Sequence, residues 1–424
     1  EMSASLVGSE MCIRDRAWDI TEEPFFKNLN LKNVNLLKLR GSYGQTGTES
    51  GVNRFGYLST YSLAENAICI GGNLQSGFNE GALVSPELLS WYTRNSLNYG
   101  IDVAFFNHRL KGSADYFFYV TKGGLVSPAD RYVVPLGTAL PQIKSENEHR
   151  REGFEASLRW DDKIGSGFYY EVGTNMTYYN NLYVKNQGEA LSDLKNPYKR
   201  STHQTDYYGI MYMDNGLYQT PEQVLGVPRR LQSSATKLGD IAYEDINGDG
   251  KIDGEDQVRW GMPSAPHFTY GFDFVLGYKG FTLSGLLYGT GKRNMEFGVT
   301  TKKNEAIWVL NDYQLDYWRE DNRDATFPRI SLEALPNGSN NQAASTFWVK
   351  NASFLRLKNL TLEYDFKYKL LRNVKWLSTC RANITGANLF TISNVMDYFD
   401  PETTSTNGGY PVQRVYSLGV TIGF

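Results

Sequence analysis

The chain has 424 residues, a formal net charge of −3 from 43 Lys and Arg against 46 Asp and Glu, and 14% aromatic side chains, 29 of them Tyr. Balanced charge without a basic run argues against nucleic-acid partners, and no stretch approaches the roughly 18 uninterrupted apolar residues that a membrane-spanning helix needs. Cys12, Cys69 and Cys380 are too few and too scattered for a disulfide framework or a metal-type CxxC pair. No Pro-rich, Ser-rich or charged linker divides the chain, so one large architecture is expected. The negative mean hydropathy leaves a transmembrane β-barrel open, because a polar lumen face dilutes the hydropathy of every strand.

Residues 1–16 fit neither a strand nor a signal peptide, resemble translated sequencing-adaptor remnants, and are expected to lie outside the fold. From residue 35 onward period-two alternation dominates, and it predicts strands near 35–45, 54–63, 89–106, 109–122, 148–160, 167–183, 266–278, 281–291, 346–366, 376–392 and 412–424. In the last of these Tyr416, Leu418, Val420, Ile422 and Phe424 share one face, and Ser417, Gly419, Thr421 and Gly423 the other. Lys279-Gly280 reads as a two-residue hairpin turn.

The predicted connections alternate in length. Those at 46–53, 107–108, 161–166, 279–280 and 367–375 are short, and those at 64–88, 123–147, 184–265, 292–345 and 393–411 are long. Bacterial outer-membrane barrels have short periplasmic turns and long extracellular loops, so the pattern predicts an all-β, antiparallel transmembrane β-barrel with Phe424 on the periplasmic side. Eleven strands and no plug-like segment suggest the C-terminal part of a larger barrel, spanning residues 17–424.

Five strings, in order, resemble the SusC/RagA family of TonB-dependent outer-membrane transporters. They are Asn35–Gly47, with the region from Trp18 to Phe26 before it; Gly239–Asp253, followed by Gly261-Met-Pro and Phe268–Gly271; Phe354–Leu362; Ala387–Thr391; and Tyr398–Glu402. The resemblance implies a barrel of about twenty-two strands, of which this chain supplies roughly half. It further implies energised import of oligosaccharides or peptides, a SusD-like surface lipoprotein that caps the barrel, and coupling to the TonB complex through upstream segments.

Asp245, Asn247 and Asp249 occupy positions 1, 3 and 5 of a twelve-residue loop with Gly250 at 6, the Lys251 carbonyl at 7, Asp253 at 9 and Asp256 at 12. This all-oxygen spacing suits a hard cation such as Ca²⁺; the same Asp-Asn-Gly cluster also suits a tight turn held by its own side chains. Tyr207, Tyr208, Tyr212, Trp308, Tyr313, Tyr317, Trp318, Tyr398 and Tyr410 fall in long loops, where aromatic faces could stack sugar rings with Asp312, Asp316 or Arg319 bonding hydroxyls; packing inside the loops is the alternative. Phe424, ending an alternating strand, resembles the C-terminal signal read by the barrel assembly machinery. His108, His149, His203 and His267 show no metalloprotease spacing or nucleophile-elbow neighbour, so no enzyme is expected. The competing architecture is a secreted β-sandwich carbohydrate-binding module with a dockerin-like calcium loop.

Overall fold

The computed structural model describes residues 10–48, 61–80, 92–126, 143–165, 167–226, 229–230, 236–296, 312–330, 340–395, 399–403 and 412–424. Eleven strands run through one antiparallel sheet in chain order: β1 (Glu10–Asp19), β2 (Val34–Thr48), β3 (Tyr92–Phe105), β4 (Leu110–Lys122), β5 (Glu148–Ile164), β6 (Phe168–Lys185), β7 (Phe268–Tyr278), β8 (Phe281–Gly291), β9 (Phe354–Asp365), β10 (Thr379–Ala387) and β11 (Val415–Gly423). A short strand, Thr391–Ser393, adds to the start of β9.

Local chemistry explains the tight turns. Lys279 and Gly280 both take positive φ, 47° and 86°, the conformation that lets a two-residue turn follow the twist of the strands it joins. At Gly280 a Cβ would also lie 2.8 Å from the Tyr368 side chain, so glycine is required twice over. Between β3 and β4 the chain turns through Phe106, Asn107 and His108, all at positive φ.

The two faces of the sheet differ in kind. One carries Leu39, Tyr43, Tyr99, Tyr116, Phe154, Leu158, Met176, Phe272, Leu362, Ile384, Tyr416, Leu418, Val420 and Ile422, all of them exposed large apolar side chains, Leu418 at 83%. The other carries most of the strand ion pairs, whereas Lys122–Glu148 and Arg150–Glu152 sit at the long-connection end of the apolar face. A water-soluble protein would bury such an apolar face, whereas a barrel in a bilayer presents it to lipid. Among the described residues no helix is long and apolar enough to cross a membrane.

The principal buried apolar cluster lies outside the sheet. Tyr212, Ile241, Tyr243, Ile252, Met295, Phe327, Ala343, Trp348, Ala352 and Val395 form it, with Leu217, Tyr317, Phe347 and Phe399 packed against it. All of these come from the connections that follow β6, β8 and β10. Two-stranded sheets stitch them together: Gly209–Tyr212 with Gln257–Trp260, Asp214–Leu217 with Ile241–Tyr243, and Asn294–Glu296 with Val349–Asn351. Full burial of each large apolar side chain contributes roughly 1.5–3 kcal/mol, so three long connections fold as one compact cap at one end of the sheet.

Three expectations about the elements are corrected. Residues 10–16, expected outside the fold, form the first part of β1, which pairs with β2 from Glu10↔Thr46 to Asp19↔Lys38. Most of the strand predicted at 54–63 falls outside the described residues; Tyr61–Ile70 pairs with Asn73–Glu80 in a separate hairpin, and β2 runs directly against β3. The segment 46–53 is therefore the end of β2 and the start of a long connection, not a short turn. The strand predicted at 346–366 is split: Val349–Asn351 joins the cap and β9 begins at Phe354. The length alternation survives, with 20–33, 106–109, 165–167, 279–280 and 366–378 at one end of the sheet and 49–91, 123–147, 186–267, 292–353 and 388–414 at the other.

Candidate functional site

The polar face divides into two zones. Toward the short connections the arginines of this face are each paired with a carboxylate. Arg40 donates from Nε to Asp102 Oδ2 at 2.8 Å and from Nη2 to Asp115 Oδ2 at 2.9 Å, spanning β2, β3 and β4. Gly100 lies within this triad, where a Cβ would come within 2.8 Å of Arg40 Cζ. Arg159 bridges Glu171 on β6 and, at 3.0 Å, Asp273 on β7. Lys111 pairs with Asp161 at 3.6 Å and Arg381 with Glu363 at 3.6 Å.

Toward the long connections the same face changes character. Arg94 on β3 lies over the Tyr119 ring on β4, 4.6 Å from its centroid. Arg151 on β5 lies 5.7 Å from the Tyr119 ring and 4.7 Å from the Tyr179 ring on β6. The Tyr179 ring in turn packs 4.9 Å from His267, at the start of the segment leading into β7. Arg151 Nε donates to Asn181, whose amide donates to Asp206, and Asp206 lies 3.7 Å from His267 Nε2.

The cap is tied to this face by a buried ionic cluster. Arg356 on β9 donates from Nη2 to Asp400 at 2.8 Å, from Nε to Thr391 at 2.8 Å, and from Nη1 to Glu402. Lys358 Nζ donates to both Glu402 oxygens, at 2.8 and 2.9 Å. Arg293, 4% exposed and held just past β8, has no hydrogen-bond partner for Nε or Nη2 among the described residues, and burial pulls its guanidinium below the ordinary range.

The predicted cation loop is a self-capped turn. Asp245 Oδ1 accepts from Gly248 N at 2.7 Å and Asp249 N at 3.2 Å, and Oδ2 accepts from Gly250 N at 2.8 Å. Asn247 accepts from Asp249 N and Asp249 from Lys251 N, both at 2.9 Å, while Asp253 accepts from Glu255 N at 2.8 Å. Fully buried Asp256 accepts from Ile246 N at 3.0 Å, Asn247 N at 3.3 Å and Asp253 N at 2.8 Å. Gly248 and Gly250, at φ 74° and 82°, supply the left-handed backbone of the turn, and Ile252 anchors it in the cap core. Among the described residues no group of three or more His, Cys, Asp or Glu side chains converges on a metal position.

Among the described residues the predicted ligand aromatics take separate places. Tyr212 and Trp318 are buried, at 6% and 7% exposure, and Trp318 Nε1 donates to Gln219 at 3.0 Å. Tyr317 packs against the core beneath Arg319. Tyr208 is spent inside the cap, its hydroxyl accepting from Glu296 N at 3.0 Å, and burial pushes that phenol up. Tyr207 lies under Arg259 at 4.2 Å. Tyr313 belongs to the short turn Asp312–Leu315, and Trp308, Tyr398 and Tyr410 fall outside the described residues. Phe424 follows β11, exposed and stacked on Trp376 with ring centroids 5.8 Å apart. The Arg–Tyr row went unseen in the sequence because its members are 25 to 32 residues apart; matching side-chain parity was their only signal, and it needs the strand register to be read.

No protein-family model matches the chain. The chain is similar to the TonB-dependent receptors P26 and P3 of Formosa agariphila, at 24% and 26% identity over 96% of its length, and to the TonB-dependent receptor SusC of Bacteroides thetaiotaomicron, at 25% over 96%. It spans 42%, 41% and 39% of those relatives' lengths. Among solved structures it overlays on the RagAB peptide importer in the open-open state with a TM-score of 0.72 at 19% identity, covering 97% of this chain and 42% of that one. At that identity the likeness is one of fold.

Proposed function

We propose that this chain, a SusC/RagA-like TonB-dependent receptor sequence of the outer-membrane β-barrel type, forms part of a TonB-driven importer of oligosaccharides that works with a SusD-like surface lipoprotein. The observation that carries the reading is the two-faced sheet, with an exposed apolar band on one side, most of the strand ion pairs on the other, and long connections folded into a cap at one end. Apolar side chains that meet lipid cost nothing to expose, and the polar face lines a watery passage. A cap at one end of the sheet supports the reading, since an importer needs a surface that meets ligand and lipoprotein outside the membrane.

The sandwich alternative is not favoured. It needs a second sheet packed about 10 Å from the first over a shared core, whereas the principal core here lies in the connections and the apolar sheet face is uncovered.

Growth and uptake test the reading. A strain lacking the full-length gene should fail to accumulate a labelled oligosaccharide that the parent imports, and the receptor should co-purify with a lipoprotein from detergent-solubilised outer membranes. Undiminished uptake of every oligosaccharide tried, with loss of peptide uptake instead, would replace oligosaccharide by peptide as the cargo.

The oxygen spacing at 245–256 supports a separate proposal, Ca²⁺ binding through Asp245, Asn247, Asp249, the Lys251 carbonyl and Asp253, with stiffening of the cap as its role. Calcium added to chelator-treated receptor should slow amide exchange across 246–253. Exchange that is the same with and without calcium removes the proposal.

A further inference from the structure

The contrast between the two zones of the polar face points to the charge of the cargo. Near the short connections Arg40, Arg159 and Arg381, like Lys111, pair with carboxylates on the sheet, while Lys38 and Lys163 on the same face make no ion pair among the described residues. Near the cap Arg94 makes no ion pair among the described residues and rests on Tyr119, while Arg151 reaches a carboxylate only through the amide of Asn181. The next carboxylate along the same face of β5 is Glu155, four positions and roughly 13 Å further on. His149, on this face directly before Arg151, lies within electrostatic reach of Arg94, Arg151 and Asp206.

A guanidinium stacked on an aromatic ring keeps its N–H edge free, and that edge matches a carboxylate or sulfate in a two-pronged hydrogen bond. Arg94 and Arg151 stand two strands apart, roughly 10 Å across the sheet, with a tyrosine ring between them. Such a row suits a polymer in which rings and anions alternate. An extended peptide binds best by adding a strand to a free backbone edge, and β3, β4, β5 and β6 are interior strands whose backbones are already paired.

We propose that the row Arg94–Tyr119–Arg151–Tyr179 is an anion-selective binding surface at the mouth of the lumen and that the imported oligosaccharide is acidic, carrying carboxylate or sulfate groups. The inference rests on the import reading and specifies its substrate class. The guanidinium edges hold the anionic groups, and the tyrosines hold the guanidinium planes in position.

The test uses the full-length receptor in detergent, with a neutral galacto-oligosaccharide, an oligogalacturonate and a sulfated galacto-oligosaccharide of equal length, and with poly-glutamate, titrated at low and high salt. At least one acidic sugar should bind about tenfold or more tighter than the neutral one, with the preference shrinking as salt rises. The arm that wins separates carboxylate from sulfate. In Arg94→Gln/Arg151→Gln the acidic preference should vanish while neutral-sugar binding holds, and Arg94→Lys/Arg151→Lys should recover part of it; heat-modifiable mobility confirms that each variant is assembled.

Equal binding of neutral and acidic sugars, or a preference that survives the Gln variant, overturns the inference, the latter by assigning the arginines to contacts with other parts of the receptor. Binding of poly-glutamate in preference to either acidic sugar overturns the glycan assignment. If no sugar of any charge is bound or imported, the oligosaccharide reading itself fails, an outcome distinct from a loss of charge preference alone.

Discussion

Asp256 is fully buried, yet both of its carboxylate oxygens receive backbone N–H groups, from Ile246, Asn247 and Asp253. Replacing it with Asn swaps one acceptor oxygen for an amide that meets a donor, so Asp256→Asn should destabilise the 245–256 turn by about 1–3 kcal/mol, seen as faster amide exchange there with the strands unchanged. Asp316 is set differently: donors on Asn322 and Thr326 hold its carboxyl below the usual carboxylate range. A depressed folded pKa adds stability above the unfolded value and surrenders it as pH falls through the folded one. The 316–327 turn should therefore keep its exchange protection down to the ordinary carboxylate range near pH ~4 and lose it only below, whereas protection that declines on going from pH 5 to 8 would contradict the assignment. That the 245–256 cluster forms a turn held by its own side chains was legible in the sequence as one of two readings. The pairing of Arg356 with Asp400 and Glu402 was not, because those partners lie more than forty residues away and meet only once the cap has folded.

Strands were the most legible elements, since period-two alternation is local and each strand alternates for its own sake. The exceptions have physical causes. β1 lacks clean alternation and is recognised as a strand only by its ladder to β2. Tyr61–Ile70 has strand-like composition and forms a hairpin, but nothing in its own residues says which neighbour it pairs with. Glycine in a strand interior marks close approach: at Gly153 an added Cβ would lie 2.2 Å from the Tyr178 carbonyl oxygen and 2.6 Å from the Phe117 ring. Backbone cannot yield as a flexible side chain can, so Gly153→Ala should lower the amount of heat-modifiable receptor in outer membranes, while Gly226→Ala, with open space around it, should leave that amount unchanged. On β11 the two faces should respond unequally to charge. Leu418→Arg puts a cation on the apolar band at a cost of about 2–4 kcal/mol near the bilayer midplane, whereas Ser417→Arg on the polar face should assemble close to normally; equal losses would mean that the band does not meet lipid.

At the scale of the molecule, the fold class and the alternation of long and short connections were readable because both follow from summed local signals. The cap was not, because its core draws on residues from Tyr212 to Val395 and no single connection is apolar enough to announce it. If the sheet is a membrane-spanning surface with the cap on the outside of the cell, the two ends of the sheet differ in their accessibility from either side. In a receptor freed of its native cysteines, a cysteine at Gly248 in the cap and one at Lys369 in the connection between β9 and β10 would be challenged on intact cells with a membrane-impermeant maleimide, then again after the outer membrane is opened. Labelling is expected at 248 on intact cells and at 369 only after opening. Labelling of 369 first, or of both together on intact cells, would contradict that arrangement.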